Sequence, residues 1–156
     1  MPPEGRHIEA RPGKGAAGTP TLRLHASCVA LGGRGILLRG RPGSGKSDLA
    51  LRLIDAGGSL VADDQVLIER HRQTLLARAP ATLQGLIEVR GIGILRLDAS
   101  EARLALVVDL DPVAERLPDP TVCRLLDVPL PAIRLDPRAP SAAAIVRVAL
   151  DAERVA

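Results

Sequence analysis

The sequence contains no phenylalanine, tyrosine or tryptophan, and only one methionine. Hydrophobic residues still make up 46% of the 156 positions, so the core must be built from leucine, valine, isoleucine and alanine. Without aromatic rings the chain has no platform on which nucleic-acid bases could stack. We therefore expect no nucleic-acid partner, and we interpret the net charge of +3, which is spread along the chain, as a solvated surface.

Cysteine is scarce, and long apolar runs are missing. Cys28 and Cys123 lack the spacing of a metal-binding motif, so both are predicted to be small core residues without a disulfide. No apolar run approaches the roughly 20 residues that cross a membrane, and the N-terminus lacks the apolar segment of a secretory signal. The sequence therefore predicts a cytoplasmic protein without a membrane partner.

The chain is predicted to contain one folded domain behind a tail. Its first 20 residues include four prolines and four glycines, a density that resists a packed element. We expect a flexible tail over residues 1–20 and a single domain over residues 21–156. No internal repeat or interdomain linker interrupts this domain.

Short apolar segments and turns alternate after the tail. TLRLHASCVAL and GILLR predict two strands of a hairpin, because the Gly-Gly-Arg turn between them supplies positive φ angles. SDLALRLIDA then predicts a helix with Leu49, Leu53 and Ala56 on one face, ended by the Gly-Gly pair that follows.

The second half of the sequence contains mostly strand patterns. Five segments predict strands: SLVADDQVLIE, TLLARA, LIEVRGIGILRL, RLALVVDL and RLLDVPLPAIRL. The last segment, SAAAIVRVALDAERVA, predicts a closing helix with Ser141 as its N-cap. Because most of these strands follow one another without crossover helices, we expect an α/β fold with a mixed sheet of parallel strands and antiparallel hairpins.

The segment GRPGSGKS lies between the second strand and the first helix and matches the P-loop pattern G-x-x-x-x-G-K-S. The match consists of Gly40, Arg41, Pro42, Gly43, Ser44, Gly45, Lys46 and Ser47. Glycines let backbone N–H groups approach phosphate oxygens, and the following helix N-terminus attracts the anion. Of 21 basic residues only Lys14 and Lys46 are lysine, and a compact ammonium suits the β- and γ-phosphates. The Ser47 hydroxyl suits Mg²⁺, so the loop predicts ATP and Mg²⁺ as cofactors.

A Mg-nucleotide site also needs a carboxylate at the end of a neighbouring strand, and two segments compete for this role. One contains Asp63 and Asp64, and the other contains Asp109 and Asp111. Spacing alone leaves both open. Two adjacent carboxylates could divide the work, with one facing the metal and the other accepting a proton, although Asp63 and Asp64 also suit a solvated turn between two strands.

The motifs together resemble the catalytic domain of HPr kinase/phosphorylase. The resemblance rests on LHAS with His25, on GRPGSGKS, on LVADD with Asp64, and on LIEVRGIGIL at residues 86–95, which is similar to the E-x-R-G-x-G signature of that family. It covers about residues 21–150. It implies a P-loop kinase domain with a phosphoenolpyruvate carboxykinase-like nucleotide-binding architecture.

The resemblance also implies roles for catalytic residues. Asp64 matches the proton acceptor from the target serine, and His25 matches a histidine that assists it. Lys46 matches the phosphate-binding lysine. Arg90 lies in the signature, and Arg116 matches a further catalytic arginine.

The implied metal ligands are Ser47 and Glu88, to which the argument from adjacent carboxylates adds Asp63. Two simpler interpretations stay open. Glu88 is also compatible with a salt bridge, and His25 with a hydrogen-bonded strand residue.

The implied function is that of an ATP-dependent protein serine kinase, with the phosphorylase reaction as a second activity. The implied substrate is HPr or a related phosphocarrier protein, and the implied assembly is a homo-oligomer, a hexamer by resemblance. By resemblance we expect a truncated form without the family's N-terminal domain, and RLDASEARL and LDPRAPSAAA depart from the family's pattern. A P-loop kinase for a small metabolite and a non-catalytic nucleotide-sensing module are the alternatives.

Overall fold

A computed structural model describes residues 13–14, 18–112 and 118–152. Most of the predicted tail and the position of Arg116 lie outside these ranges. Within the tail segment, Gly13–Lys14 form a short strand, β1, which pairs antiparallel with the start of β2, Pro20–Leu24.

The described part of the chain contains twelve strands and two α-helices. After β2 these are β3 Ser27–Leu31, β4 Arg34–Arg39, α1 Lys46–Asp55, β5 Ser59–Ala62, β6 Val66–His71, β7 Thr74–Arg78, β8 Leu86–Val89, β9 Gly93–Arg96, β10 Ala102–Leu110, β11 Thr121–Leu125, β12 Val128–Leu135 and α2 Ala142–Asp151. A 3-10 turn, Ala81–Leu83, precedes β8.

Ten strands form one mixed sheet, whose main path runs β1-β2-β6-β7-β10-β4-β3-β5. The strand β10 lies parallel to β4 along one edge. Along its other edge it pairs antiparallel with β7 near its start and parallel with β12 near its end, and β11 pairs with β12. Strands β8 and β9 form a separate hairpin. The predicted mixed α/β fold is confirmed.

The prediction of one continuous strand over TLRLHASCVAL is wrong, because the strand breaks at His25 and Ala26. At this point the chain changes neighbours: β2 pairs with β6, whereas β3 pairs with β4 and β5. The N–H of Ala26 donates to the carbonyl oxygen of Asp64, 3.2 Å away, instead of joining either ladder. The break therefore brings His25 beside the turn that follows β5.

Three later strand segments also contain turns. SLVADDQVLIE turns after β5, LIEVRGIGILRL turns between β8 and β9, and RLLDVPLPAIRL turns between β11 and β12. Positive φ angles occur at Asp64 (69°) in the first turn, at Gly91 (91°) and Gly93 (126°) in the second, and at Leu126 (48°) and Asp127 (64°) in the third. Alternating apolar residues on both sides of each turn conceal it in the sequence.

The first helix begins at Lys46 and ends where predicted, with Gly57 in the left-handed region at φ 108°. Its buried face consists of Leu49, Ala50 and Leu53. The prediction that Ala56 belongs to this face is wrong, because the helix has ended there and Ala56 is the exposed C-cap.

Two hydrophobic clusters occupy the two faces of the main sheet. Both helices lie on one face, where the core is built around residues such as Leu38, Leu49 and Val146. The opposite face buries Cys28 and Cys123 as free thiols, which confirms the prediction for both. Each fully buried leucine contributes about 2 kcal/mol, so an aliphatic core can replace an aromatic one.

The closing helix starts at Ala142 with Ser141 at the predicted N-cap position, although the Ser141 side chain makes no capping hydrogen bond. Of the described helices, none combines the length and the apolar character that crossing a membrane requires.

Candidate functional site

Those predicted site residues that the structure describes gather at one edge of the main sheet. Strands β10 and β12 run parallel to β4, and β5 has the same direction because it is antiparallel to β3, which is itself antiparallel to β4. The carboxyl ends of all four strands therefore meet at this edge. The loop 40–45 follows β4, Asp63 and Asp64 follow β5, and β3 begins here at Ser27. Ligands of open α/β sheets bind in this kind of crevice.

The loop before α1 has the geometry of a cradle for an anion. Gly45, the residue before the helix, has φ 102°, a value that residues with a Cβ rarely adopt. A Cβ at Gly40 would collide with the Ser44 side chain and lie 3.2 Å from Cβ of Leu110. Ser44 Oγ is buried and has no hydrogen-bond partner in the described part of the chain. A buried hydroxyl without a partner in a backbone cradle fits a site that takes a phosphate.

Lys46 is the first residue of α1 and folds back over the loop. Its Nζ donates to the carbonyl oxygens of Gly40 at 2.8 Å and Arg41 at 2.9 Å. Burial lowers the pKa of Lys46, while the charges of Asp64 and Asp63 act in the opposite direction. The ammonium group therefore lies between the loop and the paired acids, within reach of an anion held by the loop.

Asp63 is buried and is the centre of a hydrogen-bond network. Its Oδ1 accepts from Ser47 Oγ at 2.8 Å and from Ser27 Oγ at 2.7 Å, and its Oδ2 accepts from the backbone N–H of Glu88 at 3.2 Å. The structure thus brings together Ser47, Asp63 and Glu88, which were the predicted metal ligands. The Ser47 hydroxyl and the Asp63 carboxylate, which are in contact, fit the few protein ligands that Mg²⁺ takes beside a phosphate, and Glu88, with an exposed side chain, is joined to them through its backbone N–H.

Sequence reasoning missed Ser27 in this network. The signal was present, because Ser27 is a polar residue inside the apolar run ASCVAL. A hydroxyl in a buried strand needs a partner, and the partner here is 36 residues away in the chain.

Asp64 differs from its neighbour in being exposed, and its backbone is left-handed at φ 69°. The adjacent acids therefore point into different surroundings, one into the buried network and the other toward solvent near Lys46. His25 is exposed and lies one residue before Ala26, whose N–H donates to the Asp64 carbonyl oxygen at 3.2 Å. The structure brings His25 and Asp64 to the same edge through this backbone contact.

Asp109, the rival acid, is occupied by an ion pair. Arg39 Nε donates to Asp109 Oδ1 at 2.8 Å, and Arg39 Nη2 donates to Oδ2 at 3.1 Å. The Arg39 side chain is only 3% exposed. Asp111 follows at the end of β10, where its N–H donates to the carbonyl oxygen of Leu135. Ser47 donates to Asp63, whereas the Asp109 carboxylate is held by Arg39.

The signature segment forms the β8–β9 hairpin. Ile87 is buried in the helix-side core and anchors the hairpin beside α1. Glu88 and Arg90 have exposed side chains, with Arg90 in the turn between the two strands. The hairpin therefore presents both predicted residues at the surface next to the Asp63 network.

The fold and the site together define a mixed α/β protein with a glycine-rich anion loop and paired acids at the carboxyl edge of its sheet. Residues 17–140 match the family model described as HPr Serine kinase C-terminal domain. The chain belongs to this family.

Curated relatives and a solved structure agree with this membership. The chain is similar to proteins named HPr kinase/phosphorylase from Halalkalibacterium halodurans (46% identity over 79 residues, 50% of this chain and 26% of that protein) and Clostridium acetobutylicum (40% over 100 residues, 59% and 33%). The structure of the Hpr(Ser) kinase/phosphatase from Coxiella burnetii matches with a TM-score of 0.70 and 24% identity, over 81% of this chain and 91% of that one, and it supports the fold. The matched region spans about a quarter to a third of the curated relatives.

Proposed function

We propose that the chain is an ATP-dependent protein serine kinase that acts on HPr or a related phosphocarrier protein, and that it also catalyses the phosphorylase reaction. The observation that carries the proposal is the division between the two adjacent acids. Asp63 is buried against Ser47, and Asp64 is exposed near Lys46, in a chain of the HPr serine kinase family. Phosphoryl transfer to a hydroxyl needs both a metal-facing and a proton-accepting carboxylate.

The loop 40–47 holds the phosphates of ATP in this proposal. Its backbone N–H groups and the N-terminus of α1 supply a positive potential that does not depend on the nucleobase. Lys46 moves its hydrogen bonds from the carbonyls of Gly40 and Arg41 to phosphate oxygens. Its compact ammonium follows the charge that shifts between the β- and γ-phosphates.

Ser47, Asp63 and Glu88 hold Mg²⁺ in the proposed site. The metal, when bound, neutralises the charge on the β- and γ-phosphate oxygens. Ser47 offers a hydroxyl oxygen, and the carboxylates of Asp63 and Glu88 supply the negative charge that a hard cation requires. The hydrogen bonds on Asp63 hold its carboxylate in one orientation.

Asp64 accepts the proton of the target serine hydroxyl as the serine oxygen bonds to the γ-phosphorus and the bond to the ADP oxygen breaks. His25, whose backbone lies beside that of Asp64, assists this proton transfer. Arg90 on the β8–β9 hairpin and Arg116, which lies outside the described residues, stabilise the charge on the transferred group. In the phosphorylase direction an oxygen of inorganic phosphate bonds to the phosphorus of phosphoserine, the bond to the serine oxygen breaks, and Asp64 returns its proton to that oxygen.

The test is incubation of the purified chain with Mg-ATP and HPr, followed by intact-mass measurement of HPr. We expect HPr to gain one phosphate, and we expect Ser→Ala at its target position to prevent this. ATP consumption with only a small metabolite phosphorylated would favour the metabolite kinase. ATP binding without any transfer would favour the nucleotide-sensing module.

The proposal extends to cytoplasmic location and to assembly as a homo-oligomer, a hexamer by resemblance. Light scattering of the purified chain measures the second point directly. A monomer at the concentrations at which HPr is phosphorylated would contradict it.

A further inference from the structure

Ser27 stands out among the buried residues of the described chain, where Arg39 and Asp63 are the other buried polar or charged side chains. It is 0% exposed at the start of β3, and Ala26, Cys28 and Val29 around it are equally buried. An alanine would suit this apolar strand, and burying a hydroxyl costs free energy unless it is hydrogen-bonded. The Ser27 hydroxyl therefore needs a hydrogen-bond partner that offsets the cost of its burial.

That partner is the Asp63 carboxylate, at the shortest distance in the network. Ser27 Oγ donates to Oδ1 at 2.7 Å, whereas the Glu88 N–H donates to Oδ2 at 3.2 Å. Strands β3 and β5 pair with Cys28 opposite Ala62, so Ser27 is held next to Asp63 by the sheet itself. A bond from a strand residue does not depend on the conformation of the loop 40–45.

The third donor on Asp63 is Ser47 Oγ, which shares Oδ1 with Ser27 at 2.8 Å. When its oxygen turns a lone pair toward a metal ion, the Ser47 hydroxyl has to reorient, so this hydrogen bond is the one in the network that metal binding disturbs. Asp63 would then retain two fixed donors, Ser27 on Oδ1 and the Glu88 N–H on Oδ2. Without Ser27 the one fixed donor would be the backbone N–H of Glu88, and the carboxylate could rotate about its terminal bond.

We propose that Ser27 is a positioning residue, which holds the Asp63 carboxylate toward the Mg²⁺ site while the Ser47 hydroxyl reorients toward the metal. The inference rests on the proposed Mg-nucleotide function. Partners that orient metal-facing carboxylates affect metal affinity strongly although they do not touch the metal.

Ser27→Ala removes the donor, and the readout is ADP binding by calorimetry at increasing Mg²⁺ concentration. We expect half-maximal binding to require roughly 10-fold more Mg²⁺, the lower end for loss of an outer hydrogen-bond partner. ADP binding in the absence of Mg²⁺ should not change. Cys28→Ala is the matched control, because it truncates the neighbouring buried residue of the same strand without touching Asp63, and its Mg²⁺ dependence should equal that of the wild-type chain.

Ser27→Cys is the second variant, and it carries the test if the alanine variant does not fold. It keeps the volume of the side chain but offers only a weak donor, so we expect a shift close to that of Ser27→Ala. A wild-type Mg²⁺ dependence in Ser27→Cys, or an equal shift in Cys28→Ala, would show that packing matters and would overturn the inference.

ADP binding by the wild-type chain distinguishes failure of the proposed role of Ser27 from failure of the proposed Mg-nucleotide function. If it binds ADP with a Mg²⁺ dependence that Ser27→Ala leaves unchanged, only the role of Ser27 fails. If the wild-type chain shows no Mg²⁺-dependent ADP binding at all, the proposed function fails and the inference fails with it.

Discussion

Replacing Asp109 by asparagine tests whether this rival acid is structural. Asp109→Asn removes the charge from a pair in which the Arg39 side chain is 3% exposed and the Asp109 side chain is 23% exposed. The asparagine amide would also place an NH₂ group against one of the guanidinium donors now bound at 2.8 and 3.1 Å. Breaking a buried ion pair from one side costs about 3–5 kcal/mol, and the partial exposure of Asp109 puts the expected loss near 3 kcal/mol.

Urea unfolding and thermal melting measure this loss. With a typical urea slope near 2 kcal/mol per molar, the midpoint should fall by about 1.5 M. For a domain of this size the melting temperature should fall by roughly 6–12 °C. The double variant Arg39→Met/Asp109→Leu should regain most of the loss, because it leaves no buried charge without a partner. The Mg²⁺ dependence of ADP binding by the folded Asp109→Asn chain should match wild type.

Two results would refute this reasoning. A free energy of unfolding within about 0.5 kcal/mol of wild type would mean that the ion pair does not stabilise the strand ends. Turnover lost in the folded Asp109→Asn chain but kept in Asp64→Asn would mean that the proton acceptor follows β10 and not β5.

Three further predictions concern single residues. Lys46→Arg should fold normally yet lose most HPr phosphorylation, because the guanidinium cannot reproduce an ammonium that binds two loop carbonyls at 2.8 and 2.9 Å. A melting curve and a phosphorylation rate check it, and near-normal turnover would contradict it. Asp64→Asn should keep ADP affinity within a few fold while losing about two to four orders of magnitude in phosphorylation rate, and a smaller loss would remove Asp64 as the base. Burial raises the pKa of the Cys28 thiol from 9.0 to about 12, so the folded chain keeps a proton that the unfolded chain loses. The Cys28 thiol should therefore leave the free energy of unfolding unchanged below pH 9 and lower it above pH 9, by roughly 2 kcal/mol at about pH 10.5. Urea unfolding of Cys28→Ala should not show this contribution to the loss of stability at high pH. Equal pH profiles for the two chains would contradict it.

The anion loop could be predicted from the sequence because its contacts are local. Lys46 binds the carbonyls of residues five and six positions before it, and the following helix starts at once. The Gly-Gly turns were equally readable, since Gly32 (φ 57°) and Gly33 (φ 77°) adopt the expected backbone whatever lies around them. The mixed sheet followed from the same local patterns, because strands without crossover helices cannot all be parallel.

The choice between the acids could not be made in this way. Asp63 and Asp109 each follow an apolar strand, and their local sequences do not distinguish a residue that meets Ser47 from one that meets Arg39. The Arg39–Asp109 pair joins positions 70 residues apart. Which partner each acid finds depends on the order of the strands.

That order was decided by packing in three dimensions. The break at His25 lets β2 pair with β6 while β3 enters the sheet between β4 and β5, so that Ser27 lies beside Asp63. The local sequence does not predict this strand break, because apolar residues continue on both sides of it. The sequence by itself determined the loop that can hold an anion, through backbone conformations that glycine favours and through contacts between residues five and six positions apart. The tertiary structure decided which side chains surround that loop. These side chains depend on which strands are neighbours, and the strand order depends on burying the apolar residues of both sheet faces.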